Sequence, residues 1–297
     1  MIERYQLRYF LAVVECGNFS RAAAQVNVTQ PTLSAGIAKM ERDLGSPVFH
    51  RNSQRVQLTE NGTRILAHAR SIESDFLCLH QQDGHGSAKR LIRLGILSTV
   101  PTTLVERIVR IHNAGAVVDT LELVEGSERE LLARLDRGRI DLAVTLMRGS
   151  PRHCNEPLVH EGYALALPIW HQMASETAIH PRDLANEVMI VRRSCEMLSE
   201  TSRHFTEHGV RPRFSFRSHN DDKVLAMVAA GLGITVMPDS YQLPSIVRPK
   251  LIGFDLKRNI GLLYGSHAMN LRDEPCAVVA AIRAAVQSLA GGSNLDP

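Results

Sequence analysis

Residues 29–44, Thr-Gln-Pro-Thr-Leu-Ser-Ala-Gly-Ile-Ala-Lys-Met-Glu-Arg-Asp-Leu, constrain this chain more than any other stretch. Leu33, Ile37, Met40 and Leu44 recur at four, three and four residues, which sets them on one stripe of a helix facing a core. The opposite face then carries Pro31, Ala35, Ala38, Lys39 and Arg42 with Thr32 and Ser34 beside them, a small, polar and basic surface suited to a groove in DNA. Thr29 can cap the free N–H groups of the first turn, and Pro31 falls where a missing N–H costs nothing. The start of the helix is thereby fixed, and that end approaches base edges.

The flanks extend this reading. Leu7, Phe10, Leu11 and Val14 make an earlier helical stripe that stops near Gly17 and Asn18. Ser20 is expected to cap a short Ala-rich helix over 21–26, and a turn through Asn27 and Val28 completes a helix-turn-helix. Gly45 stops the recognition helix, and residues 50–58 read as a hairpin wing from which Arg51 and Arg55 reach phosphates or a minor groove. The excess of base is local: residues 30–70 hold six Lys and Arg against three Asp and Glu, whereas the whole chain carries only +3.

Thr59 is expected to cap a long helix running to about residue 82. In it Ile65, Ala69, Ile72, Phe76 and Leu79 have coiled-coil spacing, so the helix should pair with that of a second chain. Residues 84–87 then detach it from the C-terminal two thirds of the chain. From Arg90 onward strands and helices alternate, which implies a parallel α/β architecture. Strands are expected at 91–97, 117–124, 140–145, 163–167, 188–191, 214–217, 234–237 and 260–264, with helices over 101–113, 196–208 and 274–290 and a capping box at Ser127 and Glu130.

Cys16, Cys78, Cys154, Cys195 and Cys276 are scattered, odd in number and contain no C-x-x-C, which argues against a disulfide framework or zinc finger and for a reducing cytoplasm. No apolar signal segment opens the chain, and the run 224–237 is too short to span a bilayer, so neither export nor membrane insertion is expected.

Several motifs together resemble the LysR-type transcriptional regulators. They are Phe19, Ser20, Arg21, Ala22 and Ala23; Thr29, Gln30, Pro31, Thr32, Leu33 and Ser34; the run 40–45; Val48, Phe49, His50 and Arg51; the run 58–62; and Ala230, Gly231, Leu232, Gly233 and Ile234 with Pro238. The resemblance spans the chain and implies an N-terminal all-α winged helix-turn-helix (1–58), a linker and dimerisation helix with hinge (59–89), and a two-lobed α/β periplasmic-binding-protein-like (type 2) domain (90–297). Lobe I is expected over 90–161 and 266–297 and lobe II over 162–265, with chain crossings near Glu161 and Gly265. Members often carry a long polar residue where Ala35 stands, and an alanine touches only a thymine methyl. Base reading therefore falls to Gln30, Thr32 and Ser34, with Thr29, Lys39, Arg51 and Arg55 on phosphate or in a minor groove; Gly36 is expected to face the preceding helix.

Ser98 and Thr99 come directly after the first strand of the α/β part, and Ser127, Thr145, Ser194 and His219 lie at comparable strand exits. Hydroxyls and free helix N–H groups there suit a small organic anion acting as coinducer, with Arg192 and Arg193 read as a solvated edge. Cys195, at an expected helix start, is the competing idea, an oxidant-sensing thiol. His204, Glu207 and His208 match the H-x-x-E-H pattern of some zinc peptidases, though a surface helix explains them better. No resident cofactor, metal or catalytic group is expected. A solute-binding protein would leave the first eighty or so residues unexplained and would want a secretion signal. The reading that uses the whole chain is a homodimer, further paired into a tetramer, on an inverted-repeat operator, with RNA polymerase as a possible partner.

Overall fold

The computed structural model describes residues 1–50, 56–80, 90–115, 119–148 and 153–291. Its first part packs α1 (Arg4–Cys16), α2 (Phe19–Gln25) and α3 (Gln30–Leu44) around Phe10, Val13, Leu33, Ile37 and Met40, the stripe read from the sequence. Thr29 caps α3 by accepting from Thr32 N at 3.3 Å, and Gly45 closes it in the left-handed region at φ 70°. The cap of α2 is Asn18, not Ser20: its side chain accepts from Arg21 N at 3.1 Å, so the helix begins at Phe19. Gly36 faces α1, where a Cβ would stand 2.7 Å from the Tyr9 ring, so the close approach is to that helix and not to α2. The wing base pairs Phe49 with Leu58; Arg51 and Arg55 lie outside the described residues.

Helix α4 (Glu60–His80) is partly absorbed by this core. Leu66 and Ala69 are fully buried in it and Ile65 packs on it, so Ala69 is already covered within its own chain. Ile72 and Phe76 are exposed. The Leu79 side chain lies outside the described part.

The second part alternates β1 (Arg90–Leu97), α5 (Thr102–Ala114), β2 (Asp119–Gly126), α6 (Glu128–Asp136) and β3 (Leu142–Leu146), with β1 parallel to both β2 and β3. Strand β4 (Cys154–Pro168) carries the chain into lobe II, which holds β5 (Ala178–Ile179), β6 (Val188–Arg192), α7 (Leu198–Glu207), β7 (Arg213–Ser218), α8 (Asp221–Ala229), β8 (Thr235–Pro238), β9 (Ile246–Val247) and β10 (Lys250–Leu251). Strand β11 (Lys257–Tyr264) then pairs with β3 and β4, before the short α9 (Asn270–Asp273) and α10 (Ala277–Gly291). The main sheet runs β2-β1-β3-β11-β4-β8.

Ile260, Leu262 and Leu263 of β11 belong to the lobe I core. The return crossing therefore precedes β11, near Leu256, and not at Gly265, because ladder pairing with β3 commits the whole strand to lobe I. Helix α10 starts at Ala277, where Asp119 of β2 accepts its first N–H at 3.0 Å, later than the expected 274. The box at Ser127 and Glu130 forms as expected.

Helix α4 docks on lobe I of its own chain. Arg70 binds the Asp141 carboxylate and the Gly138 carbonyl, and His267 Nε2 sits 2.9 Å from Asp141 Oδ1 and 3.0 Å from Arg70 Nη1. Gly138 is at φ +63°, and a Cβ there would stand 2.2 Å from Leu66 of α4; only a glycine lets the helix sit this close. Arg93 reaches Glu15 at 2.9 Å and Arg139 reaches the Val14 carbonyl at 3.3 Å, tying the end of α1 to the same lobe.

Candidate functional site

At the N-terminal end of α3, Thr29, Gln30, Pro31, Thr32 and Ala35 are exposed and Ser34 is half-buried. Gln30 Nε2 donates to Ser34 Oγ at 3.0 Å and the Thr29 and Thr32 hydroxyls meet at 2.7 Å, so four of the expected contact residues are ordered against each other along one turn. Lys39 lies further along, its ammonium 2.8 Å from Glu3, a surface pair that holds the side chain only weakly. Glu41 fixes the wing to the helix by accepting from Val48 N at 2.9 Å and Phe49 N at 3.4 Å. Between α2, α3 and the wing runs a concave groove of about 600 Å³ bordered by Asn18, Ser20, Gln30, Ser34 and His50. His50 was not singled out from the sequence as a groove residue, since only the wing's return brings it beside Gln30.

The residues expected around an effector are only partly brought together. Thr99 is buried and its hydroxyl accepts from Arg258 Nη1 at 3.1 Å. Ser194 donates to the His219 carbonyl at 3.0 Å, so these two hold one another. Ser98 is half-buried at the end of β1, its N–H on the Gly126 carbonyl at 3.0 Å. Ser127 is consumed as the cap of α6, and its hydroxyl lies 2.8 Å from Glu130. Thr145 is fully buried on β3 opposite Gly261, its hydroxyl without a hydrogen-bond partner.

The group that organises the cleft is one the sequence reading passed over, Arg258 at the start of β11. Its Nε donates to Glu161 Oε1 at 2.8 Å, and Nη1 donates to both Glu196 Oε1 at 2.6 Å and Thr99 Oγ1. Tyr163 adds its hydroxyl to Glu196 at 2.9 Å, and Ser240 donates to Glu161 through N at 2.7 Å and Oγ at 3.1 Å. One guanidinium thus joins Thr99 of lobe I to Glu196 of lobe II. Burial works to lower the Arg258 pKa, but Glu161 and Glu196 outweigh it and raise it. For Glu196 burial pushes upward and Arg258 prevails, leaving its pKa below the usual carboxylate range. Thr102 crosses the lobes a second time, donating its hydroxyl to Asp222 at 2.6 Å.

Behind this bridge Arg192 is buried on the Asp221 carboxylate, with Nη1 on the Val236 carbonyl at 3.1 Å and 3.4 Å from Cys195 Sγ. It is not the solvated edge expected for the arginine doublet; Arg193 is. Burial pushes the Cys195 thiol pKa up, and Arg192 offsets this only in part. Of the H-x-x-E-H residues the two histidine rings lie against each other at 4.6 Å, but His204 turns its Nε2 to the Ile252 carbonyl at 3.2 Å, His208 binds the His204 carbonyl through Nδ1, and Glu207 faces Arg203 on the exposed side. Among the described residues no three His, Cys, Asp or Glu side chains are placed to share a metal ion, and no helix is long and apolar enough to cross a membrane.

Comparison with known proteins accounts for both parts. Residues 5–63 match the model of the bacterial regulatory helix-turn-helix protein, lysR family, and residues 85–287 that of the LysR substrate binding domain. The chain is 30% identical to the Escherichia coli K12 DNA-binding transcriptional dual regulator OxyR, covering 87% of this chain and 88% of that one. It is 31% identical to the HTH-type transcriptional regulator XapR of the same organism over 79% and 82%. Among solved structures it is similar to a full-length OxyR cysteine variant from Pseudomonas aeruginosa, with a TM-score of 0.60, 21% identity and 95% and 98% coverage. Full-length BenM gives a TM-score of 0.52 at 24% identity, over 99% and 98%. With a helix-turn-helix built as the sequence requires and a binding domain bridged between two lobes, the chain belongs to the LysR family of transcriptional regulators.

Proposed function

We propose that this regulator binds an inverted-repeat operator as a homodimer, further paired into a tetramer in the cytoplasm, and is switched by a small organic anion that takes Arg258 from Glu196. Ile72 and Phe76, exposed on α4 with Arg4 over the Phe76 ring at 4.6 Å, face the second chain, and RNA polymerase is the partner expected at the promoter. The observation that carries the switch is the single guanidinium held by Thr99 of one lobe and Glu196 of the other. A carboxylate can satisfy Nη1 as Glu196 does, so its arrival frees the loop before α7. Strand β11 carries Arg258 at one end and leads at the other to His267, which faces Arg70 of the linker helix. A shift of β11 thereby reaches the DNA-binding part.

Titration calorimetry of the full chain against small carboxylates tests this. Glu196→Gln should tighten binding, since it removes the competing carboxylate, and Arg258→Met should abolish it. Equal affinity in Glu196→Gln and the parent would remove Glu196 from the switch. For the DNA side, Lys39→Ala should reduce the salt slope of operator binding by about one unit, and Gln30→Ala should relax sequence preference.

A second reading rests on Cys195, whose sulfur stands 3.4 Å from Arg192 Nη1 beside Glu196, in a chain 30% identical to proteins called hydrogen peroxide-inducible genes activators. The thiolate would attack one peroxide oxygen, the O–O bond would break, and a sulfenic acid would form on sulfur while the other oxygen leaves as hydroxide and takes a proton from solvent to become water. Because burial raises the thiol pKa, oxidation should be slow near neutrality and faster as pH rises. Intact mass after peroxide, with Cys195→Ser as control, reads it directly; an unmodified Cys195 in protein whose operator footprint still changes would end this reading.

A further inference from the structure

A cavity of about 700 Å³ lies beneath α7, between that helix and strands β6, β7 and β8. All of its lining residues come from lobe II; it shares Glu196 with the cross-lobe bridge but is lined by neither Thr99 nor Arg258. Helix α7 buries His204 and Phe205, and the space opens beside Phe205, where Thr201 is only half-buried and Ser202 is exposed at the rim. The neighbouring α8 buries Val224, Leu225 and Val228 in a cluster with Met237 and Tyr241.

The lining has two characters. Met189, Phe205, Val210 and Val236 form a buried apolar floor. The mouth carries Arg193, Arg211 and Arg217, all exposed and none within ion-pair distance of a carboxylate among the described residues; Arg217 lies over the Phe214 ring at 5.4 Å. The volume falls in the range of small-molecule sites. An apolar floor under unpaired guanidiniums fits a molecule with an apolar body and one anionic end.

We infer that this cavity is a second ligand site, for an amphipathic organic anion such as an aryl- or alkyl-carboxylate. The body lies on the apolar floor beside α7 and the carboxylate meets the arginine rim. Cys195 and Glu196 also line this cavity, so a ligand there props the loop that supplies Glu196 to the cross-lobe bridge. This second site stands independently of any anion on Arg258.

The probes are 4-phenylbutyrate and its alcohol, 4-phenylbutan-1-ol, titrated calorimetrically into the full-length protein. The acid should bind once per chain and at least about tenfold more tightly than the alcohol, a difference the Arg193→Gln, Arg211→Gln, Arg217→Gln triple variant erases. Ser202→Trp, at an exposed position on the mouth, should abolish binding of both. Acid and alcohol of equal affinity, or unchanged binding in Ser202→Trp, would overturn the inference. Binding removed by Arg258→Met and spared by Ser202→Trp would belong to the cleft and overturn it likewise. Loss of the dimer in Ser202→Trp with no heat from either probe would give the groove to a second copy of the chain.

Discussion

In lobe I, α5 sets Leu104 and Ile108 into the same cluster as Leu94 of β1 and Leu142 of β3, and α6 adds Leu131 and Leu135, so both helices close down on the sheet. In lobe II the corresponding helix is α7, which follows β6 and buries only His204 and Phe205. The lobe II core has two clusters, one around Phe205, Leu165 and Val236 on the α7 side and another around Val224, Val228 and Tyr241 on the α8 side. The same alternation of strand and helix thus yields a filled lobe and a lobe with room under one helix. Side-chain volume on one helical face makes the difference, because a packed interior transmits every missing methylene as a void.

The comparison can be broken most forcefully in lobe I. Leu142→Ala, at a fully buried site in a filled core, should cost roughly 3–5 kcal/mol in urea unfolding, since the surroundings cannot collapse into the space. A smaller loss, near 1 kcal/mol, would mean that lobe I is no tighter than lobe II. Overpacking the same strand with Ala143→Leu should cost about 1–3 kcal/mol. The matching enlargement in lobe II, Thr201→Leu at a half-buried position lining the cavity, should instead gain about 0.5–2 kcal/mol by filling it. If Thr201→Leu destabilises, the space beside α7 is not free to be filled.

The mildest effect concerns the contact between lobe I and α4. Burial lowers the His267 pKa below its ordinary value of 6.5, and Asp141, which burial alone would raise, is held below 3.8 by His267 and Arg70. A depressed pKa means that the unfolded or undocked state binds the proton more readily, so stability is fully present above the unfolded value and lost as pH falls through the folded one. The melting temperature should therefore fall as pH drops below about 6.5, with a further loss below about 4. His267→Gln, which cannot charge, should flatten the first of these steps; an unaltered profile would place the titrating group elsewhere.

Much of this molecule could be read without coordinates. Thr29, Gly45 and the Ser127 box mark helix ends because a cap acts within three residues of chain, and Leu33, Ile37 and Met40 declare the buried face of α3 because helical periodicity is local. Neighbouring signals in conflict were less legible: Asn18 and Ser20 both suit a cap, and only the backbone geometry chose Asn18. The end of lobe II was misplaced because pairing with β3, not any turn signal, decides where β11 belongs.

By its sequence alone, the chain determined its two-part plan, the recognition helix and the alternation of the α/β domain, since each depends on patterns that repeat over a few residues. Only the tertiary structure decided the chemistry between the parts. Arg258 meets Thr99 across 159 residues of chain and Arg70 meets His267 across 197, and no local pattern distinguishes these arginines from those left in solvent. Thr201 looks like an ordinary polar helix position until the strands that close the cavity beside it are in place. Ion pairing and empty volume depend on which distant surfaces face one another, and that is settled when the lobes close.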